Sequence, residues 1–196
     1  MEEKNWKEQN PLVQVKEKIE SNKKVRNFLR LLFELAVTLA FAALFAIGMF
    51  QSVTMQESAM EPTLSVGDRF FINKVVYKFQ EPKRGDIIVF KTSLSDDAAW
   101  HIQRVIGLPG ETIQIVEGKV RINGTDLEES YPEITNPGSA QTAVSLQAGE
   151  YFVLGDNRNN SEDSRYSDVG LIRKKYIIGK LWFVLSPGEK RGFLKG

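Results

Sequence analysis

A mainly β domain carried on a single N-terminal membrane-spanning helix is the fold the sequence predicts, and three observations predict it. Residues 31–50, LLFELAVTLAFAALFAIGMF, are apolar apart from Glu34 and Thr38. Downstream, short segments rich in β-branched and aromatic residues alternate with turns built on Gly, Pro and Asp. The 196-residue chain has no Cys and a single His, His101, so neither disulfides nor a Cys- or His-based metal centre is expected to organise it. No metal and no cofactor is called for.

Twenty residues at 1.5 Å rise span about 30 Å, the depth of a bilayer core. Apolar side chains cover every face of 31–50, which disfavours a half-buried helix of a soluble domain. The run is too long for a signal-peptide core and lacks a small-residue cleavage site after it, so an uncleaved anchor is expected. Lys23, Lys24, Arg26 and Arg30 precede the run and place the N-terminus in the cytoplasm by the positive-inside rule. Residues 1–30 then read as a cytoplasmic tail, with a short surface helix around VQVKEKIES (13–21). Residues 31–50 read as the transmembrane helix, and 51–196 as a domain outside the cell membrane.

In that domain the expected strands are RFFINKVVY (69–77), DIIVFK (86–91), HIQRVIG (101–107), TIQIV (112–116), KVRING (119–124), YFVLG (151–155) and YIIGKLWFVL (176–185). Short strands punctuated by Gly and Pro argue for a sandwich or barrel. TIQIVEGKVRI is the clearest hairpin: Ile113 and Ile115 alternate with polar neighbours, Glu117-Gly118 turns the chain, and Val120 and Ile122 resume the alternation. Residues 126–148 read as a long surface excursion. KVVYKF (74–79) with Trp182 and Phe183 is read as either an apolar surface or core. The triplets NGT (123–125) and NNS (159–161) fit a glycosylation pattern too short to carry weight. The formal net charge of +1, from 26 Lys and Arg against 25 Asp and Glu, gives no electrostatic case for a nucleic-acid partner.

Three blocks follow the anchor in order: SAMEPTLSVGDRFFINK (58–74); KRGDIIVF (83–90) leading to QRVIGLPGE (103–111); and YFVLGDNRNNSEDSRY (151–166). In this order and spacing, over about residues 51–187, they resemble the bacterial type I signal peptidases, membrane-bound serine proteases that remove signal peptides from exported proteins. The resemblance implies a signal-peptidase-type β domain. It also implies a Ser nucleophile directly before the Met of the first block and a Lys general base directly before the Arg of the second. A lysine withdrawn from water loses its proton readily and can then accept the serine's. Here those positions are Ala59 and Gln103. Ala has no hydroxyl and a Gln amide has no useful basicity. The family's oxyanion-supporting Ser is replaced by Glu57, after Gln56, and a carboxylate has the wrong sign beside a developing oxyanion.

The supporting residues match. Met60, Pro62, Thr63, Arg104, Gly107, Pro109 and Gly110, and then Gly155, Asp156, Asn157, Arg158, Ser161, Asp163, Ser164 and Arg165, fit the family's blocks. Chemically they read as buried turns with Asp and Arg tied into a hydrogen-bonded scaffold. The family adds its substrate as a strand beside the residues preceding the nucleophile, which implies peptide contacts at Val53, Met55 and Gln56. Rescue of catalysis has few candidates. Ser58 is one residue from position 59 and faces the other way if the segment is a strand. His101 lies two residues from Gln103 and could pair with Ser58 if Asp163 oriented it. Lys91 defaults to a solvated strand end. The expected function is therefore a catalytically silent homologue in protein export, binding signal peptides, a translocon component or an active peptidase. The alternatives are an active peptidase using Ser58 and His101, or an inactivated enzyme.

Overall fold

A computed structural model describes residues 11–12, 14–15, 22–95, 98–186 and 192–193. It divides into two units, residues 1–48 and 49–196. Of the expected tail helix around 13–21, residues 14 and 15 are helical and the rest lies outside the described residues.

Helix α1 runs from Lys23 to Met49, so it starts eight residues before the apolar run. Lys23, Lys24, Arg26 and Arg30 are inside the helix rather than ahead of it. Lys and Arg are good helix formers, and Asn22 supplies the N-cap: its Oδ1 accepts the amides of Lys24 and Val25 at 3.2 and 3.3 Å. Glu34 pairs with Arg30 one turn earlier, Nε to Oε1 3.0 Å, so its charge is matched along the helix itself. At 27 residues and a mean hydropathy of 2.2 over its most apolar window, α1 is long and apolar enough to cross a membrane.

The second unit is mainly β, and all its strand pairs are antiparallel. The strands are β1 (Phe50–Thr54), β2 (Arg69–Asn73), β3 (Ile87–Lys91), β4 (Trp100–Gly107), β5 (Thr112–Val116), β6 (Lys119–Ile122), β7 (Thr125–Asp126), β8 (Val144–Ser145), β9 (Glu150–Leu154), β10 (Ile172–Arg173), β11 (Ile177–Val184) and β12 (Gly192–Phe193). A large sheet has the order β1-β2-β11-β3-β4-β9-β10, with β12 on β11; a small one has the order β7-β6-β5-β8. The apolar run IIVF of β3 is buried on both faces, as a central strand must be. Ile87 and Val89 face one core cluster with Met55, Met60 and Ile102. Ile88 and Phe90 face another with Val105, Tyr151 and Val153. Ile113, Ile115, Val120 and Leu146 of the small sheet's region close a third over Phe152 and Leu154.

The TIQIV–KVRI hairpin forms in the expected register, Ile113 opposite Ile122 and Val116 opposite Lys119. Glu117 and Gly118 both have positive φ, 50° and 77°, the signature of a type I′ turn. A second such turn at Asn123-Gly124, φ 52° and 84°, ends the strand expected over 119–124 at Ile122 and starts β7. The strand expected over 69–77 also stops early. Asn73 Oδ1 accepts the amides of Val75 and Val76, both at 3.0 Å, and turns the chain into the short helix α2 (Val76–Phe79). Tyr77 is thereby buried, donating to Asp86 at 2.8 Å; burial first, and then the Asp86 charge, push its phenol pKa far above the ordinary value. Phe79 of the same segment is exposed, and Trp182 and Phe183 join an aromatic cluster in which Phe50 stacks on Trp182 at 4.8 Å and Phe183 meets Phe193 edge-on. Residues 126–148 are less of an excursion than expected. Ile134, Ala140 and Leu146 are buried, and the Ile134 amide donates to the Gly118 carbonyl at 2.9 Å.

Gly179 lets β11 approach β2, since a Cβ there would sit 2.4 Å from the Asn73 carbonyl oxygen. Replacing it by Ala is expected to cost about 1–3 kcal/mol. Ile113→Ala, which empties a fully buried position, is expected to cost about 2–5 kcal/mol. Urea unfolding of the full chain in detergent measures both.

Candidate functional site

The site is assembled from three segments: the loop that leaves β1, the strand β4, and the loop 155–166 that leaves β9. β1 ends at Thr54, and Ser58 and Ala59 lie in a turn, not a strand. Strand alternation therefore does not govern where Ser58 points. Met55 opens the loop with its amide on the Asp68 carbonyl at 2.8 Å and its own carbonyl accepting from Gly67 at 2.9 Å. Ala59, Met60 and Leu64 are buried and anchor it. The Leu64 amide donates to the Met60 carbonyl at 2.9 Å, and the Glu61–Pro62 peptide is cis.

The 155–166 loop grips this turn through one backbone amide and two Asn side chains. The Asn157 amide donates to the Ala59 carbonyl at 3.0 Å, Asn157 Nδ2 to the Ser58 carbonyl at 3.2 Å, and Asn160 Nδ2 to Ser58 Oγ at 3.0 Å. Gly155 is what permits the close fit. A Cβ there would fall 2.3 Å from Ser161 Oγ and 2.5 Å from the Ala59 carbonyl oxygen.

β4 delivers Gln103 and Arg104 to opposite faces of the large sheet. Gln103 is fully buried, yet both ends of its amide are satisfied. Its Nε2 donates to the Glu162 carbonyl at 3.0 Å, and its Oε1 accepts from Ser161 Oγ at 3.3 Å. Ser161 thus touches both the Gln103 amide and the surroundings of Ala59. Arg104 forks onto Asp156, Nε to Oδ1 at 2.7 Å and Nη2 to Oδ2 at 2.6 Å. The same Asp156 accepts Thr63 Oγ1 at 2.5 Å, which links the 59–63 turn to β4.

The rest of the 155–166 loop is cross-braced. Asp163 accepts the Gly155 amide at 3.2 Å and a fork from Arg165, Nε and Nη2 both at 2.8 Å. Arg165 reaches on to the Arg158 carbonyl at 2.6 Å. Arg158 donates Nε to the Gly155 carbonyl at 3.1 Å and pairs doubly with Glu129. Ser164 Oγ accepts the Val153 amide at 3.0 Å. Tyr131 lies between two guanidinium groups, 4.4 Å from Arg158 and 5.8 Å from Arg104. Among the described residues no buried side-chain polar atom lacks a partner.

The residues read as support, Met60, Arg104, Asp156, Arg158, Ser161, Asp163, Ser164 and Arg165, are all brought together. The Ser58, His101 and Asp163 arrangement is not. Both Asp163 oxygens are engaged by Arg165, the Ser58 hydroxyl is met by Asn160, and the His101 ring stacks on Phe90 at 5.6 Å. Lys91 donates to the Ser95 carbonyl at 3.0 Å.

Val53, Met55 and Gln56 line a groove of about 490 Å³ together with Glu57, Trp100 and Ile102. Its two walls are backbone edges. β1 is the terminal strand of its sheet, and β4 pairs with β9 only from Arg104 onward, leaving residues 100–103 open on that side. The Trp100 wall escaped the sequence reading, because strand β4 begins one residue before the expected HIQRVIG segment. A second cleft of about 450 Å³ begins at Glu57 and is lined by Ser58, Ala59, Ser161, Glu162 and Asp168. Among the described residues no group of acidic or His side chains could hold a metal ion.

The chain is 35% identical over 176 residues to signal peptidase I T of Bacillus subtilis, covering 85% of this chain and 90% of that protein. It is 40% identical over 168 residues to a signal peptidase I of Leptolyngbya laminosa, covering 78% and 80%, and 36% identical over 169 residues to a probable signal peptidase I-2 of Synechocystis, covering 82% and 76%. The crystal structure of a signal peptidase I from Enterococcus faecalis matches 52% of this chain and 97% of its own, at 33% identity and a TM-score of 0.43. The family model described as signal peptidase, peptidase S26, matches residues 28–186, and with these relatives it shows that the chain belongs to the signal peptidase family.

Proposed function

We propose that this chain is a non-cleaving member of that family, which binds peptide segments of exported proteins without hydrolysing them. One observation carries the reading: the buried slot at 103 is filled by an amide whose donor and acceptor are both satisfied, facing a loop that offers a methyl at 59. A general base must hold a basic lone pair within reach of the nucleophile's proton, and the oxygen of the Gln103 amide is far too weakly basic to take it. Catalysis by acyl transfer also needs donors aimed at the developing oxyanion; Glu57 brings an acceptor to that neighbourhood.

What the chain keeps is suited to binding. A groove between two open strand edges can take an extended peptide by backbone pairing on both sides, with side chains entering between Met55, Trp100 and Ile102. Helix α1 anchors the groove to a membrane in this reading, and its N-terminal cluster of Lys and Arg puts residues 1–22 in the cytoplasm and the β domain on the opposite side. Signal peptides emerging in the membrane, a translocon component or an active peptidase carrying them are the partners this placement supplies.

Purified full-length chain is expected to release no mature protein from a preprotein in detergent. Ala59→Ser with Gln103→Lys is expected to recover slow processing, since the Glu162 carbonyl and Ser161 hydroxyl already stand where a lysine would need partners. Adding Glu57→Ser should accelerate that variant by about 10²-fold, the usual worth of an oxyanion donor. Processing by the unaltered chain that disappears in Ser58→Ala contradicts the proposal. A photo-crosslinker at position 56 is expected to capture a synthetic signal peptide, and one at position 119, on the small sheet, is not.

A further inference from the structure

One face of the large sheet is aromatic where the chain enters it. In β1 and β2, Gln51 is opposite Ile72 and Val53 opposite Phe70, and Val53, Phe70 and Ile72 pack in the core cluster around Met55. Side chains alternate along a strand, so Phe50, Ser52 and Thr54 lie on the other face with Arg69, Phe71 and Asn73. Phe183 of β11 is opposite Phe71 and extends that face. Trp182, at the register shift between Leu181 and Phe183, stacks on Phe50 at 4.8 Å and meets Phe193 of β12 at 5.2 Å. Two of these rings are open to solvent, Trp182 at 40% and Phe193 at 67%. The β1 and β2 residues of the face include one cation, Arg69, and no carboxylate.

We infer that this aromatic face of the β domain is seated in the headgroup region of the bilayer, and that lipid, not a second copy of the chain, covers it. The inference rests on the reading of α1 as a membrane anchor and adds a second, non-spanning contact with the same membrane. Chain continuity carries it. Phe50 is the last residue of the apolar run and directly follows Met49, the end of α1. The Met49 carbonyl accepts the Lys74 amide at 3.1 Å, which ties the end of β2 to the same point. An anchor that ends at residue 49 therefore leaves the start of β1 at the membrane surface, with the rings gathered around Phe50 at that level. Trp182 combines an apolar ring with a polar N–H, the character of a residue at the boundary between hydrocarbon and water. Exposed Ser52 and Thr54 and the Arg69 guanidinium interleave with the rings and suit headgroups, and the lack of a carboxylate avoids repulsion from anionic lipid.

The chain has no Cys, so a nitroxide on a single introduced Cys reports its own position. Three variants of the full-length chain are compared in vesicles of phosphatidylcholine and phosphatidylglycerol: Ser52→Cys on the face, Ala42→Cys within α1, and Lys119→Cys on the small sheet. Electron paramagnetic resonance reads collision of each label with lipid-soluble oxygen and with an aqueous nickel chelate. The label at 42 is expected to meet oxygen only, and the label at 119 the chelate. The label at 52 is expected to lose the chelate and report a depth of about 5–10 Å into the headgroup–acyl boundary. Adding Trp182→Ser and Phe193→Ser should return the label at 52 to the chelate and leave that at 42 unchanged. Chelate contact at 52 equal to that at 119, with 42 still in lipid, overturns the seating and leaves the anchor standing. Chelate contact at 42 overturns both. Loss of the chelate at 52 with dipolar broadening between labels of different copies, removed by dilution with unlabelled chain, assigns the face to a second copy and overturns the inference.

Discussion

The carboxylate of Asp156 is the constraint on which the rest of the site depends. It is almost fully buried and receives the Arg104 fork from β4 and the Thr63 hydroxyl from the turn after β1. One side chain thereby fixes three segments far apart in sequence. A buried pair of this kind is weak evidence for stability, because desolvation offsets much of the attraction, yet losing one partner leaves a charge stranded at a cost of about 3–5 kcal/mol. The same logic repeats at Asp163 with Arg165. Together the two pairs set the 155–166 loop against Ala59 and Gln103 with Gly155 as the only residue that fits between.

That scaffold does not need the reactive atoms. Ala59 and Gln103 are both buried, and each is accommodated: the Ala59 carbonyl is bonded to Asn157, and the Gln103 amide to Ser161 and Glu162. A buried amide with a single partner would carry a desolvation cost of about 1–3 kcal/mol; two partners remove it. The geometry therefore holds an uncharged residue at 103 without strain in its hydrogen bonding. The groove is built from strand edges and apolar side chains that lie outside the Asp156 and Asp163 networks.

Much of this was legible in the sequence for identifiable reasons. Continuous apolar runs such as IIVF, and strict alternation in TIQIV, report burial directly, and Glu117-Gly118 announces its own turn. The three sequence blocks located the buried Asp and Arg residues. What the sequence concealed was mostly local side-chain chemistry competing with propensity. Asn73 ends the strand before KVVY and turns the chain into α2 (Val76–Phe79) by accepting two amides, Asn123-Gly124 cuts a strand in two, and Asn22 draws the basic residues into α1. The structure does not assemble Ser58, His101 and Asp163, for a reason only coordinates reveal: Asp163 already has its partner in Arg165. The second wall of the groove at Trp100 depends on where β9 stops pairing with β4, a register that no single segment encodes.

A non-cleaving role requires that position 103 be a buried, polar-lined slot in which a lysine, unlike the amide present, would be basic. Titration of an isotopically labelled lysine at that position, in Gln103→Lys, tests it most directly. Burial disfavours the charged form, so the lysine is expected to titrate well below its ordinary value, at about 8 or lower. A lysine at 103 titrating near its ordinary value of about 10.4 would contradict it.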